Sequence, residues 1–178
     1  MAPNKFRALK MGKETFYPIS DDENGFTMDW SVEKGGGVPP HLHKFMDEKF
    51  VITKGEFKFK MNGETIIKKA GDEHFVPKGC THSVKNVFDG QSAAHVTFSP
   101  SADTGKLFEI VYSLDESNPG KVMNMIKAIY ITHKLGLREF STPQPEWVAK
   151  MLMSIVKMMA GFSQWNKLVE KYRHQAFN

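Results

Sequence analysis

Two short segments constrain this chain most, because they carry three histidines and one glutamate at close spacing. The first, residues 35–55, holds His41, His43 and Glu48, and the second, residues 71–86, holds His82. Residues two apart on a β-strand point to the same face, so His41 and His43 are predicted to face one cavity. The glycines and prolines around the four side chains predict the turns that separate the strands.

The four side chains together predict a metal site. Imidazole nitrogens and carboxylate oxygens bind divalent transition metals, and four ligands leave one or two positions open for water or a substrate. An apolar β interior would not bury three imidazoles and a carboxylate without partners for them. The alternative is that each histidine is an ordinary core or surface residue. That interpretation suits a lone histidine better than three histidines and a glutamate at this spacing.

Both segments also resemble the sequence patterns of the cupins. Residues 35–55 fit G-(x)5-H-x-H-(x)4-E-(x)6-G, and residues 71–86 fit G-(x)5-P-x-G-(x)2-H-(x)3-N, without departure. Similarity to small single-domain bacterial cupins implies a mainly β fold, a cupin-type antiparallel β-barrel or jelly roll. The resemblance also implies that His41, His43, Glu48 and His82 bind one divalent metal inside the barrel.

A weaker resemblance lies downstream of these patterns. Residues 98–100, 105–109 and 134–137 are similar to the tail of small bacterial cupins described as quercetin dioxygenase-like. The resemblance does not reach the end of the chain. We therefore expect two parts: residues 1–115, a cupin β-barrel with its metal motifs at 35–86, and residues 116–178, a helical C-terminal extension.

Alternation of apolar and polar residues predicts which side chains face the barrel interior. Residues 57–61 alternate apolar and basic side chains, as a half-buried strand does, and Asn62-Gly63 predicts a hairpin turn after them. Strand structure is expected from Glu14 to about Tyr112. The predicted substrate pocket is lined by inward-facing apolar side chains: Phe50, Ile52, Phe57, Phe59, Met61, Val84 and Phe98.

The C-terminal part is predicted to be helical. A helix is expected over 121–135, starting near Pro119 and capped by Gly136, and a second helical region over 146–172. In the second region an apolar stripe recurs at helical spacing: Val148, Leu152, Ile155, Met159 and Phe162.

Charge is distributed unevenly along the 178 residues. Residues 1–120 carry 15 basic and 17 acidic side chains, whereas residues 121–178 carry nine and three. A basic amphipathic tail can lie on an anionic membrane. We instead expect the stripe to pack on the barrel or on a second copy, because such stripes are usually core. Nucleic acid is not expected, since the basic residues are spread out, and a homodimer is expected because cupin barrels often pair through their sheets.

Other features predict a cytoplasmic protein. One cysteine cannot form an intramolecular disulfide framework. The first residues lack the apolar run of a signal peptide, and no stretch is long and apolar enough to span a bilayer.

The leading functional hypothesis is a metal-dependent dioxygenase. No row of arginine or lysine points inward, so the apolar interior suits a small apolar or aromatic oxygenated substrate. The metal would be Fe, Mn, Ni, Cu or Zn. The resemblance implies that Glu48, a ligand, also takes a substrate proton and is the candidate catalytic residue. The alternatives are an isomerase or lyase that uses the ion as a Lewis acid, and a non-catalytic small-molecule-binding cupin.

Overall fold

The computed structural model describes residues 8–101, 103–117, 122–137, 140–141, 145–162 and 164–174. In these ranges the first ten strands are β1 (Leu9–Met11), β2 (Glu14–Asp22), β3 (Gly25–Val32), β4 (Gly37–His43), β5 (Asp47–Lys54), β6 (Glu56–Met61), β7 (Glu64–Lys69), β8 (Glu73–Val76), β9 (His82–Asn86) and β10 (Ser92–Ser99). The remaining elements are α1 (Thr104–Ser117), α2 (Val122–Leu135), β11 (Phe140–Ser141), α3 (Glu146–Phe162) and α4 (Trp165–His174).

The strands form two antiparallel sheets. One has the order β1-β2-β3-β10-β5-β8 and the other the order β11-β4-β9-β6-β7. From β3 to β10 the chain changes sheet at every step except between β6 and β7, as in a jelly roll. The predicted mainly β, jelly-roll fold with a helical C-terminal extension is confirmed.

Side-chain alternation places one face of each sheet inside. On β5 the side chains of Glu48, Phe50 and Ile52 are buried, and on β9 those of His82 and Val84 are buried. The deeper part of this interior is aromatic, since Trp30 stacks on Phe57 with ring centroids 5.2 Å apart. Burial of this apolar surface stabilises the sandwich. The buried histidines and Glu48 lie toward one end of it, and the hydrogen-bonded Asn86 and Ser92 lie beside Phe57.

Glycine is needed at one turn and at one close approach of two strands. Asn62 and Gly63 connect β6 to β7 with positive φ angles of 51° and 87°, which the Asn-Gly pair tolerates. On β4, Gly37 passes so close to β9 that a Cβ there would lie 2.1 Å from the carbonyl oxygen of Val84. A larger residue at this position would push apart the two strands that carry the site's histidines.

The chain divides into two compact units near Gly105. The β unit contains the eleven strands. The helical unit begins at Lys106 and has its own buried core, built from α1, α2, α3 and α4. That core contains Ile110, Leu114, Ala128, Tyr130, Ile131, Ala160, Trp165, Val169 and Tyr172. Within the described residues, none of the helices is both long and apolar enough to cross a membrane.

Helix boundaries agree in part with the sequence. Strand structure was expected to about Tyr112, which is wrong for residues 104–112, since they belong to α1. The helix start predicted near Pro119 lies outside the described residues. The boundary predicted between the barrel and the helical extension, at residue 115, falls inside α1 and stays a prediction. Gly136 caps α2 as predicted: its φ is 72°, and the N–H groups of Gly136 and Leu137 donate to the carbonyls of His133 and Thr132.

Candidate metal centre

Three strands from both sheets bring the four predicted metal ligands together. His41 and His43 lie on β4 and His82 on β9, in the smaller sheet, where His41 is directly opposite His82. Glu48 lies on β5 in the larger sheet, not on a strand that pairs with β4. The carboxylate therefore faces the imidazoles across the interior.

The loops next to these strands are tied to each other. The N–H of Gly79, in the turn before His82, donates to the carbonyl of His43 at 2.7 Å. The N–H of Lys78 donates to the Asp47 carboxylate, beside Glu48, at 2.8 Å. These bonds connect the end of β4, the start of β5 and the turn into β9, so the four side chains keep one mutual arrangement.

The polar atoms of the cluster are close together and shielded from water. All four side chains are buried, and one ligand atom from each lies within 4.8 Å of the others. Nε2 of His41 lies 3.2 Å from Nε2 of His43. The Oε2 atom of Glu48 lies 2.9 Å from Nε2 of His82 and 3.3 Å from Nε2 of His43.

Backbone carbonyls set the orientation of two of the rings. Nδ1 of His41 lies 2.9 Å from the carbonyl oxygen of Pro39, and Nδ1 of His82 lies 3.2 Å from that of Cys80. A carbonyl oxygen only accepts hydrogen bonds, so each Nδ1 carries a proton and donates it. When such a ring is neutral, as a metal ligand must be, its lone pair is on Nε2, which points into the cluster.

Electrostatics keep His41 and Glu48 in the protonation states that metal ligands need. Burial lowers the pKa of His41 to about 4, and the neighbouring His82 acts in the same direction. Burial alone would raise the pKa of Glu48, but hydrogen bonds and charge attraction from His43 and His82 outweigh it and lower this pKa to about 2. At neutral pH His41 is therefore uncharged and Glu48 is ionised.

The cluster fits a single metal ion. Ligand atoms about 2.1 Å from one ion and at right angles lie about 3.0 Å apart, close to the separations seen here. One cation at this point would contact Nε2 of all three histidines and Oε2 of Glu48 together, which would compensate the burial of these polar atoms. Three nitrogens and one oxygen suit iron, manganese, nickel, copper or zinc.

The predicted pocket residues lie at different distances from this cluster, measured along the strands. Phe98 meets His43 edge-on, with ring centroids 5.3 Å apart, and Met61 is opposite His82 in the register. The next inward-facing residues along the same strands, two residues from Glu48, Met61 and His82, are the buried Phe50, Phe59 and Val84. Phe57 and Ile52 lie two inward positions away, about 13 Å along a strand, in the core with Trp30. The structure does not bring these last two to the cluster.

His74 is an inward-facing polar residue that was left out of the predicted site. It lies on β8 opposite Phe50 and packs on Phe59, with ring centroids 4.3 Å apart. Its Nε2 is buried and has no hydrogen-bond partner among the described residues. The alternation of Glu73, His74, Phe75 and Val76 carried this information, since the second and fourth are buried. By contrast, His95 pairs with Asp29 at 2.9 Å and is partly exposed.

Comparisons with known proteins agree with this geometry. Residues 28–98 match the family model described as Cupin domain. An uncharacterised protein of Aquifex aeolicus (strain VF5) is 38% identical over 64 residues, which are 36% of this chain and 52% of that protein. The chain thus spans about half the length of this relative.

Two solved structures share the fold of the β unit. An RmlC-like cupin from Shewanella frigidimarina NCIMB 400 is 20% identical, with a TM-score of 0.51, over 56% of this chain and 88% of that one. The capsular polysaccharide assembling protein CapF from Staphylococcus aureus is 18% identical, with a TM-score of 0.50, over 55% and 31%. At such identities the likeness extends to the fold and not to the reaction.

Proposed function

We propose that this chain, which carries a cupin domain over residues 28–98, is a metal-dependent dioxygenase of small apolar or aromatic substrates that carry oxygen atoms. One observation supports this most: the Nε2 atoms of the three histidines and Oε2 of Glu48 meet at one buried spot. Burial of such a polar cluster costs free energy unless a cation binds it.

The surroundings of the cluster favour the substrate class. Phe98 and Met61 lie beside it, and Phe50 and Phe59 lie behind it. Among the described residues, no lysine or arginine is buried in the β unit. A phosphorylated sugar would need such a cation, whereas an aromatic or apolar molecule gains free energy by covering these side chains.

Each polar residue has a defined task in this proposal. His41, His43, His82 and Glu48 would hold a divalent transition metal, which supplies the binding of substrate oxygen atoms and the activation of dioxygen. Glu48 is ionised, and contacts from His43 and His82 hold its pKa near 2. Its Oε2 can therefore accept a substrate proton only when these contacts weaken, which makes Glu48 a ligand first and a base second.

Metal content is the first test. Untagged wild-type protein is expected to contain one redox-active transition metal per chain, measured by elemental analysis. His82→Ala should lose that metal and keep its circular dichroism spectrum, because one ligand is removed from a set that is otherwise intact. His95→Ala is the matched control, since His95 lies on the outer face. Stoichiometric metal in His82→Ala would contradict the ligand assignment.

Oxygen uptake is the second part of the test, because it separates the dioxygenase from the isomerase or lyase alternative. Protein loaded with iron, copper, manganese or nickel should consume dioxygen with a catechol or an enediol, and zinc-loaded protein should not. Conversion of such compounds by the zinc form without oxygen uptake would favour Lewis-acid chemistry instead. The expected homodimer and cytoplasmic location stay predictions.

A further inference from the structure

Helix α3 carries a row of large apolar side chains on its exposed side. Trp147 is 68% exposed, Met151 50% and Met158 61%. Leu152 and Ile155, at 43% and 46%, extend the row. Residues three and four apart are neighbours on a helix surface, so these five side chains form one continuous apolar face. We call it the α3 face.

Folding of the helical unit does not account for the α3 face. The core of that unit contains Ala160 of α3, and Val156 and Met159 pack against it. The stripe expected from the sequence to be buried therefore divides: Met159 packs on the core, whereas Leu152 and Ile155 are exposed. A large apolar patch outside the core is typical of an interaction site.

Charge points to the chemistry of the partner. Lys150 and Lys157 of α3 are exposed, and after Glu146 this helix contains no acidic residue. Residues 121–178 as a whole carry nine basic and three acidic side chains. A second copy of the α3 face would bring lysines against lysines, whereas an anionic surface would attract them. Charge complementarity thus disfavours a second copy, which is one of the two partners expected from the sequence, and favours an anionic partner.

We propose that α3 binds the surface of an anionic lipid bilayer. The helix lies in the plane of the interface, with the α3 face in contact with the acyl chains and the two lysines at the headgroups. Trp147 has the ring chemistry that partitions to the interface. This inference is independent of the metal centre and of the proposed reaction, and it involves no span of the bilayer.

Tryptophan fluorescence gives a direct test. Of the three tryptophans, Trp30 and Trp165 are buried and Trp147 is exposed. A shift in tryptophan emission on binding therefore reports a change of polarity around Trp147 on α3. Vesicles of phosphatidylcholine with phosphatidylglycerol should shift the emission to shorter wavelength and should co-sediment with the protein. Vesicles of phosphatidylcholine alone should bind at least tenfold more weakly. Trp147→Phe should still bind anionic vesicles but lose the shift.

Substitutions on exposed positions separate the two contributions without disturbing the core. Met151→Ser with Met158→Ser should weaken binding to anionic vesicles at least tenfold, because both side chains leave water on binding. Lys150→Gln with Lys157→Gln should weaken it roughly 25-fold, since a lysine near such a surface contributes about fivefold. Lys60→Gln with Lys85→Gln, two exposed lysines of the β unit, is the matched control and should bind as the wild type does.

Three results would overturn the proposal. The first is equal binding of the wild type and both α3 variants to anionic vesicles, and the second is no binding to them at all. The third is a concentration-dependent blue shift without lipid, together with a dimer in sedimentation equilibrium that Met151→Ser with Met158→Ser abolishes. In that case the α3 face would be covered by a second copy.

Discussion

At the scale of single residues, the protonated nitrogen of each ring decides what the cluster can bind. The carbonyls of Pro39 and Cys80 hold the protons of His41 and His82 on Nδ1. The opposite nitrogens point into the cluster and would ligate a metal from neutral rings, and the nearby Glu48 carboxylate adds negative charge. The same atoms, if protonated, would bind no cation. Acid is therefore the simplest perturbation of this site.

We expect the metal-free protein to lose stability as the pH falls. In the unfolded chain His41 binds a proton below its ordinary pKa of 6.5, whereas in the folded protein burial delays this to about pH 4. The unfolded state thus binds more protons between these values, and the free energy of unfolding falls by about 3 kcal/mol at most. For Glu48 the same reasoning gives a further loss between about 4.5 and about 2.

Urea unfolding of metal-free protein, near neutral pH and near pH 5, measures the first of these losses. His41→Phe is the matched variant, and its stability should depend less on pH over this range. Burial also lowers the pKa of His74, so some dependence of the same sign should remain. A wild-type stability that stays constant or rises on acidification would contradict the prediction.

At the scale of secondary-structure elements, the cap of α2 offers a clean measurement. Gly136 has a φ of 72°, and a Cβ added there meets no atom within 4 Å, so any cost of a side chain comes from the backbone alone. Gly136→Ala should destabilise the helical unit by about 1–2 kcal/mol, because alanine is strained in the left-handed region. Urea unfolding followed at the helical circular dichroism band would show it.

Gly161 of α3 is the control for this substitution. A Cβ at Gly161 also meets no atom within 4 Å, but no left-handed backbone is required there. Gly161→Ala should therefore stabilise the helix by up to about 1 kcal/mol, since alanine has the better helix propensity. Two changes of the same sign would show that the conformation of Gly136 does not determine its effect.

Turns and helix ends were predictable where one or two residues determine the backbone conformation. Asn62-Gly63 determines the hairpin between β6 and β7, and Gly136 determines the end of α2. Residues 107–112, by contrast, are rich in β-branched and aromatic side chains and were expected to be a strand, but they form part of α1. A short apolar run fits the two-residue period of a strand and the 3.6-residue period of a helix equally well. Here the burial of Ile110 and Leu114 in the helical core favours the helix.

At the scale of the whole molecule, the content of the site was predictable but its assembly was not. Parity along each strand identified Glu48, Phe50 and Ile52 as inward-facing, because alternation is a property of the strand alone. The sheet that β5 joins depends on β10 and β8, which are distant in the sequence. For the same reason, the sequence could not show that Ile52 and Phe57 lie deep in the core, or which side of α3 is covered.

Removal of the metal should affect the two units differently. All four candidate ligands belong to β4, β5 and β9, and none to the helical unit. Binding at a free metal concentration about 1,000-fold above Kd stabilises the folded β unit by about 4 kcal/mol. After chelation, hydrogen exchange should therefore accelerate at the amides of these strands and stay unchanged in α2 and α4.

The His82→Ala variant is the control for this prediction. It should show the accelerated exchange with or without chelator, since it lacks one of the four ligands. Equal acceleration in strands and helices would contradict a metal site confined to the β unit, and unchanged exchange in β9 would contradict a metal bound through His82.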